Sequence, residues 1–341
     1  IVSYLTEELV RLGHDVTLFA SGDSKTSARL VSALPVATRL NPAVHDPLPH
    51  LMVQLEQVRQ RADEFDILHF HIDAVHLPLA RELAVPTVTT LHGPLDLPDL
   101  QPLYRAFSDL PLVSISNHQR QPMPPVNWAG TVYHGLPDNH LAFSPTPGAG
   151  YLAFLGRITP EKRVDRAIEI AARLGKPLRI AAKIDKVDRE YWATTIAPLV
   201  EANANVEYVG EITDADKSGF LGNAEALLFP IDWPEPFGIV MIEAMACGTP
   251  VVAFPCGSVP EVIEHGVSGY IVNDVDEAVE AVRNIGALDR GRVRAAFARR
   301  FTARRMARDY LAIYESLLER RALAEVAPVL GPAAAGALAA R

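Results

Sequence analysis

Short runs in which nearly every residue is apolar recur along this chain, separated by segments whose apolar residues fall every third or fourth position. In the first half the runs are Val16–Ala20, Ile67–His71, Thr87–His92, Leu112–Ser116 and Thr131–His134. Residues Ile1–Leu12 place Ile1, Leu5, Leu9 and Leu12 on one face, the pattern of an amphipathic helix, and Gly13 stops it. Further helices are predicted over His50–Glu64, Val75–Leu83 and Leu100–Phe107, with loops over Ser21–Ala28 and the proline-broken Pro35–Pro49. Strands that are apolar throughout and alternate with helices predict a parallel sheet covered on both faces. Right-handed crossovers make such a sheet doubly wound, with ligands at the carboxyl ends of its strands. Polar residues gather at those ends: His69, His71, His92 with Gly93, Ser114, Ser116, and His134 with Gly135.

Residues 137–150 are polar and rich in proline and glycine, and read as a linker. The alternation then repeats. Strands are predicted at Tyr151–Gly156, Leu178–Lys183, Val206–Gly210, Ala226–Pro230, Val251–Phe254 and Gly269–Val272. Thr159 as N-cap and Pro160 at the first helical position open a helix that runs to Gly175. Helices follow over Arg189–Ala202, Asp214–Asn223, Asp276–Gly286 and Arg290–Phe301, and Ser258 with Glu261 reads as a capping box. The predicted organisation is one domain over 1–140, a second over 150–302, a helix over 303–322 and a frayed Ala/Pro/Gly-rich tail over 323–341.

The most informative stretch is Phe229–Phe254. Pro234 and Pro236 stiffen a turn, and a helix opens near Gly238 and closes at Gly248. That helix is apolar on every face except at Glu243, and an all-apolar helix belongs in a core. A carboxylate there costs several kcal/mol unless something pairs with it. Glu243 is therefore either a satisfied core acid or a ligand-binding group. Glu235 precedes it by eight positions, and Gly238 leaves the first helical amides open to an anion. Arg157 and Lys162 bracket another helix start, where the dipole disfavours cations, so they are either the two sides of a dianion site or two solvated surface charges.

Length and charge narrow the class. A chain of 341 residues suits two domains, and 49% hydrophobic with 21% charged residues describes a folded protein. The net charge of −9 argues against nucleic acid as a partner. Cys247 and Cys256 form no disulfide or metal-ligand pattern, so a reducing, cytoplasmic setting is expected. His69 and His71 lack a third ligand at a usual spacing, so no metal is expected.

Glu235 and Glu243, with seven residues between them in a Pro-Phe-Gly frame, together with Gly156-Arg157 and Lys162, resemble the retaining glycosyltransferases of family 4 (glycosyl transferases group 1). The resemblance covers nearly the whole chain and is most specific from Gly156 to Ile271. It implies an α/β protein of the GT-B fold, two doubly wound Rossmann-like domains facing a cleft, that moves a sugar from a nucleotide diphospho-sugar to a hydroxyl acceptor. It implies catalytic roles for His92, Glu235, Arg157 and Lys162, and donor binding by Arg157, Lys162, Phe237, Gly238, Ile239 and Glu243. By that resemblance Arg157 and Lys162 would neutralise the diphosphate, Glu243 would accept from the ribose, Glu235 would hold the sugar, and His92 would border it. The resemblance further implies a UDP-, GDP- or ADP-linked donor and no cofactor or metal, and a lipid acceptor would bring a peripheral membrane contact. Family members often carry glycines where this chain has Ala182-Lys183-Ile184-Asp185, which leaves Lys183 as either a substitute contact or a surface charge.

Rival readings are a sugar-nucleotide epimerase of the same fold and a non-catalytic nucleotide-sugar-binding protein. A nicotinamide dehydrogenase is disfavoured because no G-x-G-x-x-G opens either half. The chain opens with a helix where a doubly wound domain opens with a strand, so a short N-terminal segment carrying that strand is expected to be missing. Val16–Ala20 and Ile67–Phe70 should then flank a gap of roughly 9–10 Å, two strand spacings, without pairing to each other.

Overall fold

The computed structural model describes the backbone of residues 1–338 and the side chains of residues 1–323. The chain divides into two units. The first contains Ile1–Ile115, Pro122–Val132 and the chain from Arg304; the second contains Ser116–Gln121 and Tyr133–Ala303.

In the first unit, β1 (Thr17–Phe19) pairs in parallel with β2 (Arg29–Val31) as a sheet of its own. Strands β3 (Leu68–Phe70), β4 (Thr87–Thr90), β5 (Leu112–Ser114) and β6 (Trp128–Thr131) form a four-stranded parallel sheet in that order. β1 and β3 therefore stand in different sheets and are not paired. β2 lies where the periodicity predicted no strand. β6 ends where a strand over Thr131–His134 was expected, because Trp128–Thr131 supply the partners of β5.

Helices α1 (Val2–Arg11), α2 (Leu48–Gln60), α3 (Leu77–Glu82) and α4 (Leu100–Ala106) cover the two sheets. Alternation across the strands separates two cores. Leu68, Phe70 and Leu112 pack with Leu55, Leu77 and Tyr104, whereas Val88 and Val113 pack with Leu5 and Leu9.

The second unit holds β7 (Tyr151–Arg157), β8 (Leu178–Lys183), β9 (Val206–Gly210), β10 (Ala224–Phe229), β11 (Val251–Ala253) and β12 (Gly269–Ile271). Their order, β12-β11-β10-β7-β8-β9, is that of a dinucleotide-type doubly wound sheet, with the direction of winding reversing between β7 and β10. The central strands β10 and β11 are buried on both faces, the edge strand β9 on one only, and Leu152, Phe154, Ile180, Leu228 and Val252 lie in one large core.

The helices of this unit are α5 (Val164–Leu174), α6 (Arg189–Tyr191), α7 (Ala197–Ala202), α8 (Asp214–Gly222), α9 (Ile239–Ala246) and α10 (Val259–Val262), which connect its strands, and α11 (Val275–Arg283) and α12 (Arg290–Arg300), which follow β12. A π-turn, Trp192–Ile196, joins α6 to α7. Pro198 lacks the N–H that would continue the regular ladder there.

The last helix, α13 (Ala303–Leu338), returns to the first unit and packs Met306, Ala307, Tyr310 and Tyr314 with Leu5, Val88, Val113 and Val132. It continues past residue 322, where a frayed tail was expected; alanine, plentiful there, is the strongest helix former. Residues 339–341 lie outside the described residues.

The Ser258–Glu261 capping box does not form. Ser258 Oγ donates to Phe237 O at 2.8 Å, and the Glu261 carboxylate accepts from Asn117 N at 2.8 Å, His118 N at 2.7 Å and Tyr133 Oη at 2.9 Å. The carboxylate satisfies four donors of the 116–121 segment and Tyr133, counting Asn117 Nδ2 at 3.0 Å, instead of one helix end. That bonding places residues 116–121 in the second unit.

Arg290 is buried and has no carboxylate partner among the described residues. It donates to Ser144 O at 2.8 Å, Ala224 O and Gly222 O at 2.9 Å, and Thr249 Oγ1 at 2.7 Å. One guanidinium fork thus joins the linker, the end of α8, the start of β10 and the turn before β11. Replacing it with leucine strands these acceptors in the interior, and Arg290→Leu should lower stability by roughly 3 kcal/mol. Urea unfolding measures this; an unchanged midpoint would show that the acceptors need no arginine.

Candidate functional site

The parallel neighbours β7 and β10 end at Arg157 and Phe229, and the segments that follow them meet at the reversal point of the sheet. After β7, Pro160–Lys162 form a single 3₁₀ turn rather than the start of the continuous helix expected from Thr159. Arg163 then adopts the left-handed conformation, φ 53°, the one non-glycine residue with positive φ among the described residues. That conformation costs an L-residue about 1–2 kcal/mol. It is offset by ion pairs of Arg163 to Asp165 at 2.8 Å and to Asp232 at 2.9 Å. Arg166 reaches the same Asp232 oxygen at 3.1 Å, and Asp232 N donates to Glu161 O at 2.9 Å. The loop after β10 is thereby tied to the turn after β7. Thr159 is buried and caps nothing.

This tie brings Lys162 and Glu235 together. Lys162 Nζ donates to Glu235 Oε2, and each side chain is only 13% exposed. Trp233 Nε1 donates to the same oxygen at 3.1 Å, and the ammonium lies 4.6 Å from the centre of the Trp233 ring. The Glu235 backbone is equally constrained, because its carbonyl accepts from Ser258 N at 2.9 Å. Gly257 makes that approach possible: a Cβ there would stand 2.3 Å from both Glu235 N and Glu235 O. Gly238 caps α9 in the left-handed region, φ 74°, and a Cβ on it would fall 3.4 Å from Glu235 Cγ.

Glu243 is 4% exposed and its carboxylate is held by Lys217 on α8, Nζ to Oε1 at 2.8 Å. Asp214 takes the same ammonium at 2.8 Å. Burial works against the charge on Lys217, but Glu243 and Asp214 outweigh it and raise its pKa above that of an ordinary lysine. Arg157 is half-exposed and leans toward Asp185, 3.9 Å away, which Lys183 pairs at 2.7 Å. Lys183 is exposed. The Phe237 ring is buried against His134, Tyr133 and Phe301, and its carbonyl accepts from Ser258 Oγ at 2.8 Å. Ile239 is half-buried in the first turn of α9.

His92 belongs to the first unit, where it follows β4. Its Nε2 lies 2.9 Å from His71 Nδ1, and the His71 ring sits 4.0 Å from that of His69. His69 in turn bonds the Tyr314 hydroxyl at 2.7 Å and Thr90 Oγ1 at 2.8 Å. Burial lowers the pKa of His69 to about 3 and of His92 to about 4, so both of these imidazoles are neutral. Buried His76, stacked on Phe70 and 2.7 Å from Thr89 Oγ1, is lowered to about 4 for the same reason. Among the described residues, no group of three or more His, Cys, Asp or Glu is placed to hold a metal ion, and no helix is long and apolar enough to cross a membrane.

Trp233, Lys217 and Ser258 are the site residues that sequence reasoning missed. Lys217 carried a weak signal, the Asp214-x-x-Lys217 spacing on a helix that precedes β10. Trp233 carried only its position two residues before Glu235.

Residues 143–299 match the family described as glycosyl transferases group 1, and residues 1–128 match glycosyltransferase family 4. The N-acetyl-alpha-D-glucosaminyl L-malate synthase of Bacillus anthracis is 27% identical over 318 residues, 79% of this chain and 79% of that protein. The alpha-maltose-1-phosphate synthase of Mycolicibacterium smegmatis is 33% identical over 138 residues, 38% of this chain; the match spans about a third, 35%, of that protein's length. Among solved structures, Anabaena HepE in complex with UDP and glucose superposes with a TM-score of 0.70 at 17% identity, covering 92% of this chain and 95% of that one. The likeness establishes the fold class, two Rossmann-like parallel-sheet units of the GT-B type.

Two outcomes follow from the charges. Lys217→Met leaves Glu243 without its cation and should cost about 3–5 kcal/mol, whereas Lys217→Met with Glu243→Met should recover much of that loss. Equilibrium unfolding of the three chains decides it, and equal stability of the double and single variants would refute the pairing. The histidines predict acid sensitivity. Their folded pKa values lie below the ordinary 6.5, so their contribution is complete above pH 6.5 and is lost as pH falls toward 4, where only the unfolded chain takes up protons. The melting temperature should drop between pH 7 and pH 5, and His76→Gln should flatten that slope.

Proposed function

Because the chain belongs to the group 1, family 4 glycosyltransferases, we propose that it transfers a sugar from a nucleotide diphospho-sugar to a hydroxyl acceptor, with retention of anomeric configuration and without a metal ion. The observation that carries the reading is the Lys162–Glu235 pair at the reversal point of the second sheet, beside the α9 N-terminus. Open sheets of this order bind nucleotides at that point.

Lys162 has three N–H groups and spends one on Glu235, which leaves two for diphosphate oxygens. Arg157 adds a second cation after β7, and the amides at Gly238 and Ile239 add a helix N-terminus. Together they stabilise the charge that develops on the departing diphosphate, the role a divalent ion fills elsewhere. Glu235 has Oε2 occupied by Lys162 and Trp233, and offers Oε1 to hydroxyls of the transferred sugar. Glu243, held through Oε1 by Lys217, offers Oε2 to the ribose. His92 is assigned to the reacting centre on the family resemblance. HepE was solved with UDP and glucose, which makes a uridine diphospho-sugar the first donor to try, ahead of GDP- and ADP-linked sugars. The protein acts in the cytoplasm in this reading, with a peripheral membrane contact if the acceptor is a lipid.

A thermal-shift panel of UDP-, GDP- and ADP-glucose identifies the donor, since a ligand at 100 times its dissociation constant adds roughly 2.7 kcal/mol. The anomeric proton coupling of the product then reports retention or inversion, and turnover should persist in EDTA. Lys162→Ala and Arg157→Ala should each reduce turnover about 10²-fold or more. Glu243→Gln should weaken nucleotide binding, whereas Glu235→Gln should spare it and lower kcat. Sugar released without any acceptor at the full rate would point instead to an epimerase, and binding without turnover to a scaffold.

A further inference from the structure

Trp233 is absorbed by none of the roles above, yet it touches both members of the central pair. Its indole N–H donates to Glu235 Oε2 at 3.1 Å, and its ring carries the Lys162 ammonium 4.6 Å from its centre. Its own position is set from both sides. Asp232, the preceding residue, is pinned by Arg163, Arg166 and the Glu161 carbonyl. On the other side Pro234 sits at the centre of a tight turn closed by Glu235 N donating to Trp233 O at 2.8 Å. That three-residue turn sets the Trp233 and Glu235 side chains next to each other.

We propose that Trp233 is the positioning residue for Glu235, holding the carboxylate in place while Lys162 is engaged by the diphosphate of the donor. The inference rests on the donor reading above and adds a division of labour to it. In the pair as it stands, Lys162 and Trp233 share one carboxylate oxygen. A diphosphate competes for the ammonium, because lysine is a mobile point charge with rotatable donors. It does not compete for the indole N–H in the same way, since that group is neutral and is fixed by the ring. Glu235 therefore keeps one hydrogen bond to Oε2 throughout, and Oε1 stays turned to the sugar. The ring face contributes in the other direction, through a cation–π contact that holds Lys162 near the carboxylate before the donor arrives.

The test pairs kinetics with a resonance. Trp233→Phe keeps a ring face for Lys162 and removes only the N–H. With the member of the UDP-, GDP- and ADP-glucose panel that turns over, this variant should lose about 10- to 100-fold in kcat, the factor a hydrogen bond to a charged group carries. Affinity for the matching nucleoside diphosphate should stay within about threefold. Three tryptophans give three indole N–H signals in a nitrogen-15 labelled chain, and the signal lost in Trp233→Phe is that of Trp233. Glu235→Gln should shift that signal and leave those of Trp128 and Trp192 in place. A shifted signal together with a wild-type chain that turns over no donor overturns the donor reading and upholds the Trp233–Glu235 contact. An unshifted signal, or a Trp233→Phe chain with wild-type kcat, overturns the positioning role.

Discussion

The parallel pairing of β7 with β10 is the constraint on which the rest of the second unit depends. Six strands are wound outward from that pair in opposite directions, so the connections after β7 and β10 leave toward opposite faces of the sheet. Their first residues are nevertheless neighbours, because the strand ends are neighbours. Arg163, Arg166 and Asp232 then convert proximity into a fixed geometry, and the left-handed Arg163 is the local strain that this geometry costs. Gly257 lets a third segment close on the Glu235 backbone.

Charge is balanced locally on this scaffold. Glu235 and Glu243 are both sequestered from water, and each has its own lysine. A buried carboxylate without a cation would be unstable, so pairing is the condition for keeping two acids here at all. In the proposed reading the choice of lysine at position 162 matters: an arginine fork would hold its carboxylate bidentately and resist sharing, whereas an ammonium with three rotatable donors is able to bridge a carboxylate and an incoming phosphate.

The first unit uses a different arrangement. Its strand-end histidines are bonded to one another and to hydroxyls, burial keeps His69 and His92 neutral, and Tyr310 and Tyr314 of α13 complete the row. α13 thus does two jobs there, covering the sheet through Met306 and Ala307 and supplying the hydroxyls that His69 and Thr90 require. Neutral imidazoles in such a row give directional bonding without the desolvation cost of a charge.

Apolar runs and their spacing were enough to read the alternation of strands and helices, because a strand buried on both faces and an amphipathic helix leave different periods in the chain. The Glu235-x₇-Glu243 pair, with Gly238 between its members, was likewise legible as a buried-acid and helix-start pattern. Other features were not, since they depend on residues distant in sequence. No period in the chain announces that β6 starts at Trp128, that Arg163 breaks the turn after Thr159, or that Glu261 turns away from its helix to Asn117 and Tyr133. Those outcomes are decided by strand register, by a charge lattice across two loops and by competition for donors. From the sequence alone, Glu243 in an all-apolar helix was an acid that needed a partner. Only the tertiary structure decided that Lys162 with Trp233 serves Glu235 and that Lys217 serves Glu243, because a carboxylate takes the donor that folding brings within about 3 Å, whatever its distance along the chain.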